Sequence, residues 1–472
     1  MLSRGDFFRY HKLITSWISG YFRRIEDLPV KSQVNPGDIY NRIADHIPIK
    51  GENLEEIIRD LDDVILPGMT HWQHPNFHAY FAANSSVESL FAEMVSSAMS
   101  AQCMIWATSP AAAELEQRMM EWMRDAMGLP AEWEGVIQDT ASTASLVSLI
   151  TARELKTDFK SNYEGVPNNL RVYCSKETHS SVEKAMAIAG MGRNNLVKIA
   201  VDSEQRLSVS LLEEAIKEDI REGLKPCAVV VALGTTGTLA IDPLKEIAKV
   251  ASNYDLWLHI DAAYAGTALF LPEYRWMIAG IQQADSFVFN PHKWLFTNFD
   301  CTAYYVKDAD LLIRTFEILP EYLKTSPRGA VNDYKDWGIA LGRRFRALKL
   351  WFVLRSYGLV GIQNTLRNQI QWTEALVQHL RDQPGFDIVR PAFLNFFCFR
   401  LKNPLNEQSE EEINALNAGY LDMINESGEA YLSHTRIENK FVIRVVIGQT
   451  YVEQRHVDDL FKILIRYKES MI

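Results

Sequence analysis

With 472 residues, 47 % of them hydrophobic and 23 % charged, the chain is long enough for two or three domains and has an ordinary globular composition. Its 49 basic against 60 acidic residues give a formal charge of −11 with no long Lys/Arg run, which argues against nucleic acid or an anionic membrane as partner. The five cysteines (Cys103, Cys174, Cys227, Cys301, Cys398) are scattered without zinc-finger spacing, as expected of reduced thiols in a cytoplasmic protein, and no apolar run reaches the roughly 18 residues a membrane span needs.

Phe7, Tyr10, Ile14, Trp17/Ile18, Tyr21 and Ile25 recur at three- and four-residue steps, predicting a leading helix with one aromatic face. Ser and Gly interrupt its apolar stretch and Arg23-Arg24 follow, so a helix is expected here rather than an export signal. Such a face needs a cover, either the chain's own body or a second copy of it. An extended linker over 28–37 leads to a helical pattern from Asp38 to about Leu66, ended by Pro67-Gly68. His71, His74 and His78 have a metal-like spacing, but Pro75 keeps them off a common helix face; an aromatic-walled loop is expected, without a metal. Residues 85–127 read as helical, broken near Thr108-Ser-Pro110. Thr140, Ser142, Thr143 and Ser145 then crowd the start of another helix, where unpaired backbone N–H groups and the helix dipole favour a phosphate at Ala141 and Ser142.

From residue 170 the chain alternates. Strand candidates 170–175, 196–201, 227–233, 256–261, 286–290 and 301–306 are separated by helical segments near 180–191, 210–222 and 243–254, which predicts a mostly parallel sheet covered on both faces. Ser180 with Glu183 reads as a capping box, and Asp242-Pro243 as a helix start. A helix over 343–357 is closed by Gly358, and a second long one runs through about Arg381. Beyond it, strand candidates at 386–389, 395–401 and 442–447 alternate with helices near 410–426 and 453–468, a smaller α+β domain.

The stretch Ser286-Phe-Val-Phe-Asn-Pro-His292-Lys293-Trp294 places a lysine just past the tip of a buried strand, where open α/β sheets bind ligands. By the same logic His179, Thr235-Thr236 and Asp261 lie on that edge. A lysine for an aldehyde, a carboxylate for a pyridinium nitrogen, an imidazole, a hydroxyl at Thr236 and a helix start for a phosphate are together what pyridoxal 5'-phosphate asks for.

These residues carry a resemblance to the pyridoxal-phosphate-dependent group II amino-acid decarboxylases, and within them to the aromatic-L-amino-acid decarboxylases. The motifs are His179-Ser-Ser-Val-Glu, Leu233-Gly-Thr-Thr, His259-Ile-Asp-Ala-Ala-Tyr-Ala-Gly, Asn290-Pro-His-Lys-Trp-Leu and Leu341-Gly-Arg-Arg-Phe-Arg, and the likeness covers nearly the whole chain. It implies a fold-type-I, aminotransferase-like α/β fold with a mostly parallel central sheet. The expected division is an N-terminal helical dimerisation arm (1–81), a large cofactor-binding domain (82–345) and a small C-terminal α+β domain (346–472). It further implies a homodimer with shared active sites, an amino-acid substrate, Lys293 bonded to the cofactor's aldehyde, Asp261 on the pyridinium, and His179 stacked on the ring. Ala141, Ser142, Asn290 and His292 would surround the phosphate, with Thr236 and Ala263 nearby.

Tyr322 matches a loop tyrosine that returns a proton to Cα after CO₂ leaves. Relatives with phenylalanine there release an aldehyde instead, since a phenyl ring has no proton to give. Trp72, Tyr80 and Phe81 match the aromatic wall of the substrate pocket, and Gly342 a glycine of indole-accepting members. Ala82-Ala83 replaces the usual Pro-Thr, and Met104 stands where an aromatic residue enters from the partner subunit. The expected reaction is decarboxylation of tryptophan, phenylalanine, tyrosine or DOPA to the amine. An aromatic aldehyde synthase, or a decarboxylase of a non-aromatic acid such as glutamate, are the alternatives on the same scaffold. A cofactor-free interaction protein is a further alternative, against which Lys293, Asp261 and His179 all speak.

Overall fold

The structure, a computed structural model, describes residues 4–318 and 331–472. It divides into two compact units, one of residues 83–368 and the other of residues 1–82 together with 369–472.

The 83–368 unit is built on a seven-stranded sheet: β1 (Glu134–Gln138), β2 (Leu170–Ser175), β3 (Leu196–Ile199), β4 (Lys225–Ala232), β5 (Trp257–Asp261), β6 (Ser286–Phe289) and β7 (Thr302–Val306). Their order is β1-β7-β6-β5-β4-β2-β3. β2 to β6 run parallel; β7 is antiparallel to both β6 and β1, so β1 points the same way as the parallel set. The central strands are apolar without alternation, as strands covered on both faces must be; every residue of β5 and β6 is buried. The helices Ala141–Lys156 and Ser181–Ile188 pack Leu146, Leu149, Val182 and Met186 onto Val172 and Val230 in one such cluster.

The other unit carries an antiparallel sheet of β8 (Phe386–Phe393), β9 (Phe396–Leu401), β10 (Ser433–Ile437) and β11 (Lys440–Val446), in the order β10-β11-β9-β8. Helices Glu410–Ser427 and Gln454–Glu469 supply Tyr420, Leu421, Ile424, Leu460 and Leu464 to its core. The segment around Phe77 is held to it by the backbone: His78 N–H donates to Tyr431, Tyr431 N–H to Asn76 and Val446 N–H to His78.

Several expectations are corrected. Residues 43–53 are not helical, because Pro48 and Gly51 interrupt them; the helix starts at Leu54, capped by Asn53 and Glu56. Ser180 makes no capping bond: its backbone is already helical (φ −59°, ψ −15°), so its side chain cannot reach back as a cap does. Asp242 does not cap its helix either; its carboxylate accepts from Leu207 and Ala232 N–H at 2.7 and 2.9 Å. β1 and β10 were not foreseen. β1 is a short strand that exists through non-local pairing with β7, and Gly135 within it is required because a Cβ would collide with Met120 and the Tyr305 ring. β10 is a half-exposed Ser-His-Thr-Arg-Ile run with little apolar signal. Gly358 (φ 61°) breaks the 346–381 helix as expected.

Candidate active site

Because β1, β2, β4, β5 and β6 share one direction, their C-terminal ends deliver five segments to a single edge of the sheet. β1 leads into the helix at Ala141, β2 into His179, β4 into the Thr235-Thr236 turn, β5 ends on Asp261, and β6 leads into the short Pro291–Trp294 turn that carries Lys293. A parallel sheet leaves its ligand crevice at this edge.

Asp261 at the tip of β5 and Lys293 in the turn after β6 both act electrostatically on His179, the carboxylate raising and the ammonium lowering its pKa. Burial is the larger influence and holds the imidazole below its ordinary range, with Lys184 adding to it. Asp261 Oδ1 accepts the Ala263 N–H at 3.0 Å, which aims the carboxylate from the strand tip. Ala263 is itself held across the turn, its carbonyl accepting from Asn290 N–H at 3.0 Å. Thr236 is exposed at the same edge; its neighbour Thr235 is buried and ties the turn together through Ala240 N–H.

The putting-together of a phosphate cradle follows from donors alone. Thr140 caps the helix Ala141–Lys156 by accepting from Thr143 N–H, leaving the N–H groups of Ala141 and Ser142 without intrahelical partners. Asn290 Oδ1 accepts from Thr302 Oγ1 at 2.8 Å, so what Asn290 still has to offer is its two N–H donors. His292 Nδ1 accepts the Cys301 N–H at 3.0 Å, which places its one proton on Nε2. Burial, and the Lys293 ammonium after it, push His292 down to about 3, so it stays neutral. A helix start, an amide and an imidazole that all donate fit an anion, and a primary amine and a carboxylate on the same edge fit the rest of pyridoxal phosphate.

Two features were not visible in the sequence. Asn84 grips the lysine turn, its N–H donating to the His292 carbonyl at 2.7 Å and its side chain to the Lys293 carbonyl. Beneath the edge runs a buried polar chain. Trp257 Nε1–H donates to Ser148 Oγ (2.9 Å), which pairs with Ser286 Oγ (2.9 Å), and that hydroxyl lies 2.8 Å from His259 Nδ1, whose Nε2 lies 3.1 Å from Ser145. It ties the helix Ala141–Lys156 to the strands that lead to Asp261 and Lys293. Burial holds His259 at about 4. Only contact in three dimensions reveals either feature, since Asn84 stands some two hundred positions from Lys293.

The residues expected to wall a substrate pocket fall into two groups. Trp72 stacks on Phe77 and Tyr80 with ring centres 4.6 and 5.9 Å apart, Tyr80 pairs with the Tyr431 hydroxyl, and Phe81 lies against Phe396 with the Arg444 guanidinium over both rings. In the 83–368 unit, Met104 and Gly342 are brought together: Cys103 N–H donates to the Arg343 carbonyl, Arg343 N–H to Gln102, and Lys335 N–H to the Met104 carbonyl. A Cβ at Gly342 would come within 3.3 Å of Gln102 Nε2, so a serine there would displace that amide. Ala83 is half-buried beside Asn84. Tyr322 lies outside the described residues. The loop histidines are engaged separately: His71 pairs with the Tyr21 hydroxyl, His74 Nδ1 accepts from Asn76 N–H, and His78 Nδ1 pairs with the Val446 carbonyl.

A sheet edge of this kind, on this fold, defines an enzyme that works through pyridoxal phosphate. The chain belongs to the pyridoxal-dependent decarboxylases, whose conserved-domain model matches residues 36–402. It is 41 % identical to a phenylacetaldehyde synthase of Arabidopsis thaliana, over 96 % of this chain and 94 % of that one. It is also 41 % identical to tryptophan decarboxylase 2 of Oryza sativa subsp. japonica, over 96 % and 92 %. Among solved structures it is similar to Oryza sativa TDC with PLP and tryptamine, at a TM-score of 0.96 and 33 % identity, covering 100 % of this chain and 99 % of that one.

Proposed function

We propose that this enzyme decarboxylates an aromatic L-amino acid (tryptophan, phenylalanine, tyrosine or DOPA) to its amine and CO₂. The observation that carries the reading is the delivery of His179, Asp261 and Lys293 to one sheet edge by the parallel strands β2, β5 and β6, in a chain whose relatives include a tryptophan decarboxylase. When bound, pyridoxal phosphate supplies an electron sink for the pair left at Cα by departing CO₂. Lys293 would hold the cofactor's aldehyde, Asp261 would keep its ring nitrogen protonated, and His179 would cover its ring. Ala141, Ser142, Asn290 and His292 hold the phosphate, with Thr236 and Ala263 lining the same edge. Tyr322 returns the proton to Cα. Trp72, Tyr80, Phe81, Ala83, Met104 and Gly342 shape the side-chain pocket.

The active form is a homodimer in the cytoplasm with shared sites, residues 1–81 serving as the dimerisation arm. Two facts support the dimer. The inner end of the leading helix is engaged within its own chain, with Ile25 buried and Trp17 bonded to Asp62, while Phe7 and Phe8 at its start are 59 and 70 % exposed. Rings so placed call for a second copy. No helix among the described residues is long and apolar enough to cross a membrane.

The relative that is a phenylacetaldehyde synthase favours a second reading, oxygen-dependent aldehyde formation. Incubating the pyridoxal-phosphate-loaded protein with tryptophan, phenylalanine, tyrosine, DOPA and glutamate, with and without oxygen, separates the two by mass spectrometry. Amine with equimolar CO₂ in both atmospheres supports the decarboxylase. Aldehyde and ammonia that appear only with oxygen would replace it with the synthase, and turnover of glutamate alone would overturn the aromatic assignment.

A further inference from the structure

Ser181, two residues beyond His179, has entered none of the roles above. It is buried, opens the helix Ser181–Ile188, and meets His179 Nδ1 twice: its backbone N–H donates to that nitrogen at 3.2 Å, and its hydroxyl lies 2.8 Å from it. An amide N–H can only donate, so Nδ1 must be the acceptor and the ring's single proton stands on Nε2. The opposite tautomer would satisfy the hydroxyl but set two N–H groups against each other. The groups around the ring agree with a neutral imidazole: burial, Lys293 from the lysine turn and Lys184 from its own helix disfavour the imidazolium, and Asp261 from β5 opposes them.

We propose that Ser181 is a positioning residue that locks His179 as the Nε2–H tautomer, so that the ring offers the reacting amino acid a hydrogen-bond donor and never a base. An imidazole with a bare Nε2 would be a general base at the site and open it to proton abstraction; the serine removes that lone pair from the chemistry. The consequence for the reaction rests on the decarboxylase reading, whereas the tautomer does not.

The test is long-range ¹H–¹⁵N NMR of the full chain labelled with ¹⁵N-histidine, with and without pyridoxal phosphate, the His179 signals being assigned with His179→Gln. A pyridine-type Nδ1 beside a pyrrole-type Nε2 is expected; the reverse pattern overturns the proposal. Ser181→Ala keeps the backbone N–H and with it the Nε2–H tautomer, but loses the hydroxyl that helps hold the ring, and should lower kcat about tenfold at unchanged KM. Ser181→Thr, which keeps the hydroxyl, should restore kcat. An alanine variant with the wild-type melting temperature and full kcat would overturn the positioning role of the side chain. Absence of decarboxylation by a wild-type protein showing the expected tautomer would count against the decarboxylase alone.

Discussion

Lys293 and Tyr322 bear unequal loads in the proposed chemistry, and single substitutions separate them. Lys293→Ala should abolish the visible absorbance of the lysine-bound cofactor and lower turnover by at least about 10³-fold, since it removes the nucleophile that holds the aldehyde. Absorbance and full activity retained in that variant would refute the assignment. Tyr322→Phe should keep the absorbance and pass the product from amine toward aldehyde and ammonia under oxygen, read by mass spectrometry. The motifs around Lys293, Asp261 and His179 were legible in the sequence because each is a short local run at a strand end. Asn84 and Ser181 were not, because what they do depends on which carbonyl or ring nitrogen the fold brings to them.

The decisive element is the pair β5 and β6 with the helix Ala141–Lys156, joined by the Trp257, Ser148, Ser286, His259 and Ser145 chain. Ser286→Ala leaves Ser148 and His259 short of a partner in a dry interior, a loss of about 1–3 kcal/mol. It should lower the melting temperature and, by loosening the helix start from the strand that precedes Lys293, weaken pyridoxal-phosphate affinity by titration. A fall in stability with unchanged affinity would confine the chain to folding. Leu258→Ala, fully buried in β5, should cost about 2–5 kcal/mol in denaturant unfolding through the cavity it leaves. The long, strongly patterned elements were readable from periodicity. β1 escaped because it pairs with a strand far along the chain, and β10 because its half-exposed run carries little apolar signal; the Asp242 capping assignment failed because its carboxylate serves distant N–H groups, and that of Ser180 because its backbone is already helical.

At the scale of the whole molecule, buried histidines govern acid stability. His78 and His292 are held at about 3, His74 and His259 at about 4, each chiefly by burial, against an ordinary value of 6.5. Below pH 6.5 the unfolded chain takes up protons that the folded chain refuses, so each group withdraws up to about 1.4 kcal/mol per pH unit as the pH falls toward its folded value. Asp242 and Asp285, raised to about 6 by burial, act in the opposite sense between pH 6 and their ordinary 3.8. Four imidazoles outweigh two carboxyls, and the urea midpoint should fall between pH 6.5 and 4.5; a midpoint that rises there would refute the balance. Assembly belongs to this scale too: Phe7→Asp with Phe8→Asp should shift the sedimentation of the proposed dimer toward the monomer.

By itself the amino-acid sequence determined the alternating strand–helix pattern, the strand-end positions of Lys293, Asp261 and His179 and the chemistry those side chains can perform, because periodicity, turn residues and functional groups are local properties. Only the tertiary structure decided that β1 joins the sheet through β7 and that Asn84 grips the lysine turn. It alone decided which nitrogen of His179 and of His292 carries the proton, because a hydrogen-bond partner is chosen by proximity in space, and folding brings together groups that the order of the chain keeps apart.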